Sequence, residues 1–272
     1  MNSSLPLPTV SVIVPALNEA ANIAAAVHEI IQAVDGRCAD YELVLIDDGS
    51  SDHTGRLMEE LACTTPRLRV IHNLRPRNLG GVFKQGVAVA RYECVMMVPG
   101  DNENPRAALA PLLEAIGSAD VVVPYTVNRG ARPWIRRALS RVYTMILNRL
   151  SGRRLRYYNG TVIFRTADVR RVTIRTDSFA YVGEALVKVL AMGKGYVEIG
   201  IRIHPTTGRR SKALSWRNLV GVARALVRLW WDVRSAPPLS PTPAGAFVAS
   251  LRGPGLAPEA VPRRSGVRVE QP

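Results

Sequence analysis

Five short apolar runs, each cut off by polar or turn-forming residues, alternate with stretches of helical periodicity along the first half of the chain. The runs are Thr9–Val14, Tyr41–Ile46, Leu68–His72, Glu93–Val98 and Ala119–Val123. Between them lie an alanine-rich segment reaching Val34, the segments Thr54–Ala62 and Gly80–Arg91, and one from Pro105 to about Ile116, where proline suits a first helical turn. Strands alternating with helices of about ten to sixteen residues predict βαβ units and an α/β fold on a mostly parallel sheet. The length of 272 residues, 47% of them hydrophobic, is enough for one large domain with a sizeable core.

The ends of three runs carry the chemistry-bearing residues: Asn18 and Glu19, Asp47 and Asp48, Asp101 and Glu103. Open α/β sheets bind ligands at the carboxyl edge of their strands, so these residues are expected in one crevice. In Val95-Met-Met-Val-Pro-Gly-Asp-Asn-Glu-Asn-Pro105 the apolar run stops at Pro99-Gly100, and the two carboxylates follow one residue apart. Carboxylates two apart in extended chain point the same way and suit one hard divalent cation, Mg²⁺ or Mn²⁺, with positions left for substrate phosphates. Each position has a structural alternative: Asn18-Glu19 as a helix start, Asp48-Gly49 as a turn, Ser51 or Asp52 as a helix cap. Their recurrence at strand ends favours a nucleotide, phosphate and metal crevice.

Thirty-six Lys and Arg against 22 Asp and Glu give a formal charge of +14, which points to anionic partners. Thirteen arginines face a single acid, Asp168, between Asn128 and Thr176, and the planar guanidinium suits phosphate. No nucleic-acid partner is expected, since zinc-finger spacing, RNP-like aromatic motifs and a heptad-bearing basic region are all missing. Three scattered cysteines and four histidines (His28, His53, His72, His204) show no metal-ligand spacing, and the cysteines fit a reducing cytosol. The N-terminus has no signal-peptide pattern, and no apolar run approaches the ~20 residues that span a bilayer. The expected location is cytoplasmic, peripheral on the cytosolic face of a membrane.

Ser11-Val-Ile-Val-Pro-Ala-Leu-Asn-Glu19, Val44-Leu-Ile-Asp-Asp-Gly-Ser-Ser-Asp52 and Asn78-Leu-Gly-Gly with Gly86 resemble family 2 glycosyltransferases of the GT-A fold. The branch most resembled is the dolichol- or polyprenyl-phosphate mannosyltransferase type, through Arg136 with Ser140-Arg141, Tyr158-Asn-Gly-Thr-Val-Ile-Phe-Arg165 and Gly208-Arg-Arg-Ser-Lys212. The resemblance covers roughly residues 9 to 233. It implies an inverting transfer of a sugar from a nucleotide sugar, of GDP-mannose or UDP-hexose type, to a polyprenyl phosphate. It further implies that Pro15, Leu17 and Glu19 line the nucleoside pocket, that Asp47 meets the base or ribose with Asp48 beside it, and that Asp101 and Glu103 hold the metal under the diphosphate. Two departures stand out. Pro99 occupies the place of the family's first aspartate, and Thr206 stands where an arginine is expected, leaving Arg209 or Arg210 to supply that cation.

A phosphate acceptor with second pKa of about 6 is already a nucleophile at neutral pH, whereas a hydroxyl acceptor needs a general base. Lys212 and nearby arginines would offset charge on the leaving diphosphate. A hydroxyl-acceptor enzyme is the alternative, with Glu184 as its base, and a basic membrane- or nucleic-acid-binding module is the non-enzyme alternative. Arg132, Arg136, Arg137 and Arg141 share a helical segment with Ile135, Leu139, Val142 and Ile146. That segment reads either as an ordinary amphipathic helix or as one whose Arg136 and Ser140 meet the acceptor phosphate. Trp216–Arg234 reads as a second amphipathic helix, with Arg217, Arg224 and Arg228 on one face and Leu219, Val220, Ala223, Leu226, Val227 and Trp230 on the other. A membrane-surface helix and a helix packed on the sheet both fit that pattern. The predicted organisation is a flexible 1–8, a catalytic domain 9–214, the amphipathic helix 215–234 and a disordered Pro/Ala/Arg-rich tail 235–272.

Overall fold

The computed structural model describes residues 6–127, 134–202, 216–235 and 250–252. Arg132, His204, Arg209, Arg210 and Lys212 lie outside the described residues. The first half follows the predicted alternation: β1 (Thr9–Ala16), α1 (Ile23–Val34), β2 (Asp40–Asp47), α2 (Thr54–Thr64), β3 (Leu68–His72), α3 (Asn78–Val89), β4 (Cys94–Met97), α4 (Arg106–Glu114) and β5 (Val121–Thr126). The second half adds α5 (Trp134–Ser151), β6 (Ile163–Arg165), α6 (Thr166–Arg170), α7 (Tyr181–Ala191), β7 (Tyr196–Ile201), α8 (Trp216–Ser235) and β8 (Ser250–Arg252). The last of these falls inside the stretch expected to be a disordered tail.

The sheet order is β3-β2-β1-β4-β6-β5-β7-β8. All neighbours run parallel except β6, which is antiparallel to both β4 and β5. The chain builds outward from β1 to β3, then returns to add β4 on the other side of β1. The reversal places the topological switch point between the ends of β1 and β4, where α/β folds bind their ligands.

Both faces of the sheet are covered, which is why its strands are apolar almost throughout. Val10, Val12 and Val14 of β1 join Leu43 and Leu45 of β2 in a core with α1, α2 and α4. Ile13, Val44 and Ile46 face the other way, into a core with α3, α5, α6, α7 and α8. Their polar neighbours at the amino end of the strands are paired: Ser11 donates to Glu42 (2.7 Å), and Arg69 grips the same carboxylate through two nitrogens (2.7 and 3.0 Å).

On that second side α3 lies so close to β1 that a Cβ at Gly86 would stand 2.5 Å from two carbons of Ile13 and 2.7 Å from a third. Ile13 is fully buried and β-branched, so its side chain has little freedom to move aside. Gly86→Ala is therefore expected to lower stability by about 1–3 kcal/mol through overpacking, read as a lower urea midpoint with an unchanged slope.

The phase of α8 differs from the sequence expectation. Its buried centre is Ala225 and Leu229, with Leu226 and Val233 beside them, while Ala223, Val227 and Trp231 face outward with Arg224, Arg228 and Arg234. Asp232 fixes this rotation by accepting from Lys188 of α7 (2.7 Å). The helix thus packs on the domain by one face and presents a mixed basic and apolar face outside. No helix among the described residues is long and apolar enough to cross a membrane.

Candidate active site

The loops after β1 and β2 are laced together, and this sets the floor of the crevice. Asn18, at φ 58°, donates its N–H to Ser50 Oγ (3.0 Å) and accepts from the Ser51 N–H at Oδ1 (2.8 Å). Glu19 N–H donates to Thr54 Oγ1 (2.8 Å), and Ala20 N–H to Asp52 Oδ2 (3.3 Å). Asn readily occupies the left-handed region, so the chain turns sharply there and brings its backbone donors to the neighbouring loop. Glu19 is buried. Its carbonyl starts α1 by accepting from the N–H groups of Asn22 and Ile23, and its carboxylate takes a bond from Asn22 Nδ2 (2.9 Å). Pro15 is buried in β1 opposite Ile46, and Leu17 is half-buried just past the strand end.

The two adjacent aspartates after β2 have different surroundings. Asp48 is buried: Oδ1 accepts from Asn73 Nδ2 (3.0 Å) and the Arg77 N–H (2.8 Å), and Oδ2 from the Asn78 N–H (3.0 Å). It ties the β3–α3 loop and the first turn of α3 to the end of β2. Asp47 takes the Ser50 N–H on Oδ1 (3.0 Å) and His72 Nδ1 on Oδ2 (3.1 Å). Burial pushes its pKa up, but the bonds from Ser50 and His72 outweigh that and hold the carboxyl below the usual Asp value.

The β1–β4 ladder runs past Met97: Val98 N–H donates to Ile13 O and Gly100 N–H to Pro15 O, both at 2.9 Å. Asp101 therefore leaves the sheet beside the β1–α1 loop. Asn102, at φ 58°, folds the chain so that Glu103 N–H donates to Asp101 Oδ1 (3.2 Å). Asp101 and Glu103 are both half-buried at this edge. Asp47 stands two strands away across β1, a separation of about 10 Å from strand spacing alone. The sheet thus brings Pro15, Leu17, Glu19, Asp47, Asp101 and Glu103 to one edge.

Among the described residues no group of three or more His, Cys, Asp or Glu side chains forms a metal cluster. The turn at Asn102 replaces the extended stretch that the spacing predicted, so the alternation that would point both carboxylates the same way does not hold here. What remains in favour of a Mg²⁺ or Mn²⁺ ion is the all-oxygen chemistry of Asp101 and Glu103, close in sequence at a half-buried strand end.

Of the acceptor candidates, Arg136 falls in the first turn of α5, and Ser140 is half-buried one turn on. Leu139, Val142 and Met145 of the same helix are exposed at 43%, 49% and 64%. Glu184 is buried in α7, where its carboxylate is taken up in a polar network. Its Oε1 accepts from the Arg175 N–H (3.0 Å) and Lys188 Nζ (2.7 Å), and its Oε2 from the Thr176 N–H (3.0 Å).

Sequence reasoning passed over His72 as a residue of this site. The signal available was its place at the end of an apolar run; the structure puts it in register opposite Asp47.

Residues 11–176 match the family model described as glycosyl transferase family 2, more than half of the chain. The chain belongs to glycosyl transferase family 2. Curated relatives of this family member include the undecaprenyl-phosphate 4-deoxy-4-formamido-L-arabinose transferase of Edwardsiella ictaluri, 30% identical over 151 residues (55% of this chain, 46% of the relative). The protein of that description from Serratia proteamaculans is 29% identical over 156 residues (56% and 47%). The chain spans about half the length of the curated relatives it matches. Among solved structures, the mannosyltransferase PcManGT from Pyrobaculum calidifontis with GDP-Man and Mn²⁺ aligns at TM-score 0.62 and 21% identity (86% of this chain, 66% of that one). Glucosyl-3-phosphoglycerate synthase from Mycobacterium tuberculosis with Mg²⁺ and UDP aligns at 0.61 and 17% (85% and 80%). These structures share the GT-A fold with this family 2 chain.

Proposed function

We propose that this protein transfers a sugar from a nucleotide sugar to a polyprenyl phosphate, with inversion, at a membrane surface. The observation that carries the reading is the convergence at the β1–β4 crevice of Asp101 and Glu103 with the laced nucleoside loops and Asp47. The curated relatives, named for undecaprenyl phosphate, support the acceptor class, and the +14 charge suits an anionic lipid.

Asp47 and the β1–α1 loop would bind the nucleoside, and Asp101 with Glu103 would hold a Mg²⁺ or Mn²⁺ ion. That ion, when bound, neutralises charge on the departing diphosphate. An acceptor phosphate oxygen attacks the anomeric carbon in line, forming the new C–O bond as the bond to the nucleoside diphosphate breaks. The diphosphate leaves with the electron pair. Arg136 and Ser140 are assigned to the acceptor phosphate, and Arg209, Arg210 and Lys212 to the leaving group. No base is required, because the phosphate is mostly dianionic above a pH of about 6.

A hydroxyl acceptor is less well supported, since Glu184 has both oxygens committed to backbone and lysine donors. The outward faces of α5 (Leu139, Val142, Met145) and α8 (Val227, Trp231), flanked by arginines, suit peripheral contact with an anionic bilayer.

The test is nucleoside diphosphate release from a panel of UDP- and GDP-sugars with Mn²⁺, with and without undecaprenyl phosphate in detergent. Release that requires the lipid phosphate, with a glycosylated lipid as product, is the expected result. Release that ignores the lipid and follows a hydroxyl acceptor would overturn it.

A further inference from the structure

His72 lies between two carboxylates from different elements. Its Nδ1 is 3.1 Å from Asp47 Oδ2 at the end of β2, and its Nε2 is 2.8 Å from Glu59 Oε1 on α2. An ionised carboxylate can only accept, so both bonds form only when both ring nitrogens carry a hydrogen, in the imidazolium. A neutral ring turns a lone pair toward one of the two acids. Helix α2 closes over the pair at Gly55, where a Cβ would stand 2.7 Å from Asp47 Oδ2 and 3.1 Å from His72 Cε1. Only glycine lets α2 approach closely enough for Glu59 to reach the ring.

We infer that His72 is a positioning residue: held as an imidazolium between Asp47 and Glu59, it fixes Asp47 toward the donor nucleoside, and donor affinity falls when the ring loses its second proton. This rests on the reading of Asp47 as the nucleoside contact. The charged groups facing the ring are Asp47 from β2 and Glu59 from α2. The hydrogen bonds of Glu59, then of Asp47, raise the His72 pKa above its ordinary 6.5. The bridge is therefore favoured while the ring stays protonated, and is lost as pH rises through the raised value of His72.

The test has two arms. Ring ¹⁵N NMR of the nucleotide-free protein should report an imidazolium that persists above pH 6.5 and titrates lower in Glu59→Gln. Calorimetry of UDP and GDP with Mn²⁺, from about pH 6 to about pH 9, should show Kd rising about three- to tenfold across that titration, as expected for losing one partly exposed charge-assisted bond. His72→Gln should bind weakly with the histidine-linked rise removed. Gly55→Ala, which keeps every titrating group but forces the pair apart, should weaken binding and lower the ring pKa.

A ring that is neutral at pH 6.5, or a Kd profile unchanged in His72→Gln, overturns the inference alone. Binding of neither nucleotide at any pH overturns the donor reading and this inference with it, while the NMR arm still reports the bridge.

Discussion

Asp101→Ala is expected to reduce turnover by about 10²- to 10³-fold, the scale of losing a principal electrostatic group at a reacting centre. It is expected to leave the unfolding midpoint nearly unmoved. The reason lies in how the residue is held. Asp101 is half-buried at the strand-end rim, and the Glu103 N–H that it accepts at 3.2 Å is one of its contacts. Partly exposed side chains of this kind carry little folding free energy, within about 1 kcal/mol. On the proposed reading the functional loss is large because Asp101 and Glu103 alone would hold the cation, with Pro99 standing where the resemblance implies a third acid. Glu103→Gln should act in the same direction and more weakly, since it keeps one oxygen donor. Steady-state rates against Mn²⁺ concentration, with calorimetry of donor binding, check both. Rates and metal dependence unchanged in Asp101→Ala would remove the metal assignment.

How much of this was legible in the sequence follows from which contacts decide each feature. Parallel strands buried on both faces must be apolar along their length, so β1 to β5 announced themselves with ends within about three residues of those observed. Acids placed just past those ends could be assigned to one edge because parallel strands share a direction. β6 could not be read, since three residues inserted antiparallel between β4 and β5 carry no periodicity of their own. The rotation of α8 was hidden for a different reason. Its apolar residues are spread widely around the helix, and the side that turns inward is chosen by Asp232 meeting Lys188 and by the room left beside Ala225 and Leu229. Asp47 and Asp48 look equivalent in sequence, yet one meets His72 and the other takes the loop donors of Asn73, Arg77 and Asn78. That division is made by the β3–α3 loop, whose path only the tertiary structure fixes.

Glu184 is the position where a catalytic and a structural role predict opposite results. Its carboxylate is 5% exposed at the side-chain level and collects the Arg175 and Thr176 N–H groups together with Lys188, whose ammonium also reaches Asp232 (2.7 Å) and Thr173 O (2.7 Å). Through Asp232 the same network holds α8 against α7, with Arg175 adding a second contact at 3.5 Å. Glu184→Ala would leave two part-buried N–H groups without their acceptor and a part-buried ammonium short of one counter-charge. Its expected cost is about 2–4 kcal/mol, since two donors lose their acceptor while Lys188 keeps Asp232 as a counter-charge. Glu184→Gln keeps the volume and one acceptor oxygen, so it should lose less, about 1–3 kcal/mol, with the turnover of the folded fraction preserved. Urea unfolding alongside initial rates per folded molecule separates the two roles. A general base would give the reverse pattern, a Gln variant of wild-type stability that binds nucleotide and does not turn over, and that outcome would replace the phosphate acceptor with a hydroxyl.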